Sequence, residues 1–131
     1  MRSFYGLYTN GKYKVGMSGT VWVYDMEDNL LGRFTETPYS YVGAFVPGKD
    51  VFVSHTNENH LVVYDIANMK MLKKIKTSNC GGSEDTGVVF SSDGKYLYCI
   101  QAHWNDWLKS RLVVYDTENF EIEKSIFRMR V

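Results

Sequence analysis

Cysteine is scarce in this 131-residue chain. Only Cys80 and Cys99 carry a thiol, too few for a disulfide-stapled scaffold and spaced unlike a zinc motif. Charge of a prevailing sign is missing as well: fifteen Lys and Arg balance fifteen Asp and Glu. The chain therefore has no global field to gather nucleic acid or an anionic membrane surface, and neither is expected as a partner. No apolar run nears the roughly 18 residues of a membrane-spanning helix. The start, Met1-Arg2-Ser3-Phe4-Tyr5-Gly6, breaks up before the apolar core of a secretory signal forms, which leads to a cytoplasmic expectation. What is there is a chain 44% hydrophobic and 23% charged, one average domain long, able to bury a modest core without disulfides or metal.

The chain repeats itself. Three apolar runs end in the same pair: Val21-Trp22-Val23-Tyr24-Asp25, Leu61-Val62-Val63-Tyr64-Asp65 and Leu112-Val113-Val114-Tyr115-Asp116. Tyr64 follows Tyr24 by 40 positions and Tyr115 follows Tyr64 by 51, a period typical of repeat architectures. Upstream of each run a Gly-Lys pair sits in a turn sequence: Asn10-Gly11-Lys12, Pro47-Gly48-Lys49 and Asp93-Gly94-Lys95. Asn-Gly and Asp-Gly predict type I′ turns, in which both residues take positive φ, and Pro-Gly predicts a type II turn.

Outward from these turns, strands are expected over 4–8, 13–15, 21–24 and 30–34 in the first copy. The second copy gives 41–46, 51–54, 61–64 and 71–76, and the third 87–91, 96–100, 112–115 and 122–127. The third strand of each copy is continuously apolar rather than alternating, the pattern of a sheet covered on both faces. Four-stranded units of about 40 to 45 residues, stacked face to face, are β-propeller blades. The expected fold is all-β: three consecutive four-stranded antiparallel β-propeller blades, near 3–36, 39–77 and 86–128 of a single domain, as half a propeller or as a fragment of a larger one. Val88-Val89-Phe90-Ser91-Ser92-Asp93-Gly94-Lys95-Tyr96-Leu97-Tyr98 followed by Leu112-Val113-Val114-Tyr115-Asp116 resembles the YVTN-type, WD-repeat-like propeller blade. The resemblance spans nearly the whole chain, with Tyr-Asp standing where WD repeats carry Trp-Asp.

A closed ring takes about four to eight blades. Three would leave the outer faces of the first and last sheets uncovered, with Trp22, Tyr24, Val113 and Tyr115 expected among the residues there. Two copies pairing head to tail would close a six-bladed ring. The expected partner is thus a second copy, in a homodimer, or else further blades of a longer chain.

Antiparallel strands place the connections after the second and fourth strands of every blade on one rim. The two longest, Ser78 to Thr86 and Gln101 to Arg111, make that rim the candidate face for a protein or small-molecule ligand. His103, Trp104, Asn105, Asp106 and Trp107 combine two large aromatic surfaces with hydrogen-bonding groups, as binding hot spots do. Glu84 and Asp85 end a glycine-bearing segment that lacks the lysine and spacing of a phosphate loop and is expected to be a flexible connector. His55 and Asn57, further candidate ligand or partner contacts together with Glu84 and Asp85, lie in Ser54-His55-Thr56-Asn57-Glu58-Asn59-His60. There His55, Glu58 and His60 could converge on a metal, but no HxH, HExxH or CxxC pattern is present, so a solvated polar loop is expected, with no metal and no cofactor. Asp25, Asp65 and Asp116 are expected to cap turns, and Cys99 to be a small buried hydrophobe.

These features favour a noncatalytic binding or assembly module, and no catalytic residue is assigned. The alternatives are a truncated piece of a longer propeller and a lactonase-like hydrolase acting on a sugar lactone. The latter is suggested by Tyr5-Gly6-Leu7-Tyr8-Thr9-Asn10-Gly11 followed by Gly19-Thr20-Val21-Trp22-Val23-Tyr24, which is similar to the opening of that class.

Overall fold

In the structure, a computed structural model, residues 4–36, 39–56, 58–77, 87–101 and 111–127 are described. They form twelve strands. The first sheet contains β1 (Gly6–Thr9), β2 (Tyr13–Met17), β3 (Val21–Asp25) and β4 (Leu30–Phe34). The second contains β5 (Ser40–Phe45), β6 (Val51–Thr56), β7 (His60–Asp65) and β8 (Lys70–Lys76). The third contains β9 (Gly87–Phe90), β10 (Tyr96–Gln101), β11 (Arg111–Asp116) and β12 (Ile122–Phe127). Each sheet keeps its strands in chain order, paired antiparallel throughout. There is no helix among the described residues. The three sheets are three consecutive β-propeller blades, which approach one another through their first strands, with β5 lying against both β1 and β9.

Local chemistry fixes the hairpins. At Pro47-Gly48 the Lys49 N–H donates to the Val46 carbonyl at 3.1 Å and Gly48 takes φ 74°, the expected type II turn. The Asn-Gly and Asp-Gly turns differ from expectation, because only Gly11 (φ 90°) and Gly94 (φ 74°) enter the left-handed region. Asn10 and Asp93 instead use their side chains to hold the turn, accepting the backbone N–H groups of Lys12 at 3.0 Å and Lys95 at 2.9 Å. A side-chain acceptor makes a second left-handed residue unnecessary.

Between third and fourth strands the device is an aspartate. Asp25 Oδ1 accepts from the backbone of Glu27 and Asn29, each at 2.9 Å. Asp65 accepts from Asn68 at 3.1 Å and Asp116 from Asn119 at 2.7 Å. Each turn then passes through a left-handed residue, Asp28, Met69 or Phe120, and the pairing slips at Val23/Tyr24, Val63/Tyr64 and Val114/Tyr115. The turns and this repeated bulge set one register for all three blades.

Register in turn decides which way each side chain faces. Tyr13 pairs with Asp25, Val51 with Asp65 and Tyr96 with Asp116, so these positions are equivalent in the repeat. One face of each sheet, here the forward face, points to the next blade; the backward face points to the previous one. The forward residues Val15, Met17, Val21 and Val23 of blade 1 are buried together with the backward residues Phe52, Val62 and Tyr64 of blade 2. The forward residues Val53, Leu61 and Val63 of blade 2 are buried with the backward residues Leu97, Cys99, Val113 and Tyr115 of blade 3. Burying each such aliphatic or aromatic side chain contributes roughly 1.5–3 kcal/mol. Val113 and Tyr115 therefore do not lie on an outer face, contrary to the sequence expectation. In a continuously apolar strand, hydropathy alone does not tell the two faces apart.

Candidate functional site

Polar groups collect at one end of the joint between blades 2 and 3. His55 sits near the end of β6 and is 1% exposed, with Nδ1 3.5 Å from the Sγ of Cys99, itself fully buried in β10. Burial pushes the His55 imidazole down to about 4, so it is neutral near pH 7. It then exchanges a weak hydrogen bond with a thiol rather than forming a thiolate–imidazolium pair. One turn of the pleat further on, Gln101 Nε2 donates to the Tyr115 hydroxyl at 2.8 Å. The joint is thus closed on its polar end by hydrogen-bonded side chains instead of apolar ones.

This overturns the expected solvated loop around His55. β6 and β7 extend to Thr56 and from His60, because the polar residues there pair across the hairpin, His55 with Leu61 and Thr56 with His60. His55 and His60 consequently project from opposite faces of the sheet and do not converge on a metal. His60 is half-buried, and burial first, then the charge of Lys74, holds its imidazole below the ordinary value. Glu58 is exposed. Among the described residues no group of three or more His, Cys, Asp and Glu is placed to hold a metal ion. None forms a helix long and apolar enough to cross a membrane.

The turn aspartates perform the structural work expected of them. Asn29 donates its side-chain amide to Asp25 at 2.9 Å and Asn68 does the same for Asp65 at 2.8 Å. These bonds hold both carboxyl groups below the ordinary 3.8. Asp93 is lowered likewise, first by the Ser91 hydroxyl at 2.7 Å.

Of the candidate ligand contacts, His103, Trp104, Asn105, Asp106, Trp107, Glu84, Asp85 and Asn57 lie outside the described residues, as does Cys80. The strand ends that carry the two long connections are described. Gln101 pairs with Arg111 at the end of β10, Ile100 pairs with Gly87, and Lys76 pairs with His60 beside the end of β6. All four anchor points, Lys76, Gly87, Gln101 and Arg111, lie on one rim.

The forward face of blade 3 carries a surface that none of the repeat motifs marks. Val89 is 64% exposed, Ile100 43%, Tyr96 40% and Tyr98 37%. A pocket of about 290 Å³ opens there between Tyr96, Tyr98, Val114, Glu123 and Lys124. On the backward face of blade 1, Leu7 pairs with Gly16, Phe4 lies over Gly16, and the Arg33 guanidinium stands 5.3 Å from the Trp22 ring. Trp22 donates its indole N–H to Ser18 at 2.8 Å, and Lys14 pairs with Asp28 at 2.6 Å. Strand parity counted from the repeated Tyr-Asp pair would have found both faces.

No family model matches the chain, and no curated protein matches it. Among solved structures its fold is similar to that of hydrazine synthase from Kuenenia stuttgartiensis, with a TM-score of 0.80 and 19% sequence identity over 98% of this chain. The chain spans 38% of that one's length. Identity this low carries the fold alone, and 520 chains of solved structures match, so the fold does not select a function.

Proposed function

We propose that the chain is a noncatalytic β-propeller binding and assembly module built of YVTN-type repeats. Its end sheets are joints, and the rim carrying its two long connections, His103 to Trp107 included, is its recognition face. One observation carries this reading. Tyr98 and Ile100 are exposed, whereas the residues at the same repeat positions, Val15 and Met17 in blade 1 and Val53 and His55 in blade 2, are almost wholly buried against a following sheet. A face patterned as an interior surface, yet open, is a docking surface.

Light scattering across a dilution series tests it. The wild type is expected to exceed the mass of one chain, and Tyr98→Lys, which places a charge on the open face, to fall to that mass with unchanged circular dichroism. A wild type with the mass of one chain at every concentration overturns the assembly reading.

A further inference from the structure

We propose that the forward face of blade 3 docks the backward face of blade 1 of a second copy of this chain, through the offset that already relates blade 1 to blade 2 and blade 2 to blade 3. The inference rests on the assembly reading and names its partner. Charge complementarity at equivalent positions carries it.

On one side of the existing 2–3 joint, Lys73 donates to the Asn119 carbonyl in the turn after β11. Lys73 stands opposite Val63, and Lys124 stands opposite Val114, so Lys124 is its equivalent on blade 3. Asn119 gives its backbone N–H to the turn aspartate Asp116, as Glu27 does to Asp25. The same offset therefore sets Lys124 against the turn of the second copy that holds Glu27 and Asp28. A cation meets the Glu27 carboxylate and that of Asp28, which Lys14 also pairs.

At the opposite ends of the strands, Asn10 Nδ2 spans the 1–2 joint to the Lys49 carbonyl at 3.2 Å and Asp50 Oδ1 at 2.8 Å. Counted back from Tyr13, Val51 and Tyr96, Asp93 is the equivalent of Asn10, Lys12 of Asp50, and Lys95 of Lys12. Asp50 is held by Asn10 and, at 3.8 Å, by Lys12, so Lys12 of the next copy meets both Asp93 and Lys95, and the Asp93 carboxylate offsets the second cation. Between these two contacts lies the blade 3 pocket, with its tyrosine rings and Glu123. The backward-face position filled by buried Phe52 and Leu97 in blades 2 and 3 is Lys14 in blade 1. Its ammonium suits a carboxylate and aromatic faces where an aliphatic core residue would not.

Each copy offers one forward and one backward end, so two copies joined at both ends close a ring of six blades, within the size range of closed propellers. Two end-blocked variants test the polarity: Tyr98→Lys on the forward face and Leu7→Asp on the backward face, where Leu7 is exposed. Alone, each is expected to have the mass of one chain by light scattering; mixed, they give a 1:1 complex with the mass of two, held by the single intact joint.

A mixture that stays at one-chain mass overturns the proposal. Leu7→Asp that assembles as the wild type does shows forward-to-forward pairing, which overturns this polarity while leaving the assembly reading standing. Lys124→Glu gives a readout independent of core packing: the wild-type dissociation constant should rise several-fold at low salt and less at high salt. An unchanged constant counts against the proposal.

Discussion

Acidification should loosen the joint between blades 2 and 3 through one side chain. The His55 imidazole ordinarily titrates at 6.5 and, folded, at about 4, with burial as the cause. A depressed value means that the unfolded chain takes up the proton first. The stability involved is fully present above pH 6.5 and is lost as pH falls toward 4, with no further loss from this group below that. The gap, at about 1.4 kcal/mol per pH unit, amounts to about 3 kcal/mol, a large part of the roughly 5–15 kcal/mol that holds a typical domain folded. Asp25, Asp65 and Asp93 act in a separate window, since their carboxyl groups lie below 3.8. Urea unfolding at a series of pH values, for wild type and His55→Met, isolates the effect; methionine is the residue that blade 1 buries at this position, as Met17. The wild type should lose most of the 3 kcal/mol between pH 6.5 and 4.5, and the variant should lose little beyond the smaller share due to His60. Equal losses in the two proteins would refute the assignment to His55.

Packing gives two further expectations. A Cβ at Gly43 would stand 2.5 Å from the Phe52 ring and 2.6 Å from the Val53 carbonyl, whereas one at Gly32 would meet only the flexible end of Met69 at 2.8 Å. Gly43→Ala should therefore cost about 1–3 kcal/mol in urea unfolding, with Gly32→Ala within about 0.5 kcal/mol of wild type. Tyr64 is fully buried with its ring 4.3 Å from that of Phe34, and Tyr64→Ala should cost about 3–5 kcal/mol. Tyr24→Ala, at the equivalent half-buried position, should lower the melting temperature far less in the Tyr98→Lys background, in which that face stays open.

The repeat made the architecture legible. Tyr-Asp and Gly-Lys pairs recur because every blade needs the same two turns, and turn chemistry is written in a few residues. What lies between the turns was harder to read. β7 is buried on both faces, so Leu61, Val62, Val63 and Tyr64 carry no alternation from which to deduce direction, and the inward turn of Val113 and Tyr115 had the same cause. His55 went unrecognised as a core residue because a hydrogen-bonded imidazole in a joint looks, in sequence, like one in a loop. The open faces were expected in general, but their composition followed only once parity was known. The candidate rim rests on loop length, which antiparallel topology converts into position without any knowledge of contacts.

Alternate residues of β6 and β7 serve two different cores, and this has a consequence for how the chain avoids misthreading. A one-residue slip would turn Phe52, Val62 and Tyr64 toward blade 3, and Val53, Leu61 and Val63 toward blade 1. Both sets are apolar, so water offers almost no penalty against the error. The discrimination has to come from ring against aliphatic volume and, before any packing exists, from the ends of the hairpins. Asp65 and its bond to Asn68, like their counterparts at Asp25 and Asp116, then act as index marks: half-buried turn residues that tell an otherwise ambiguous strand where to begin counting.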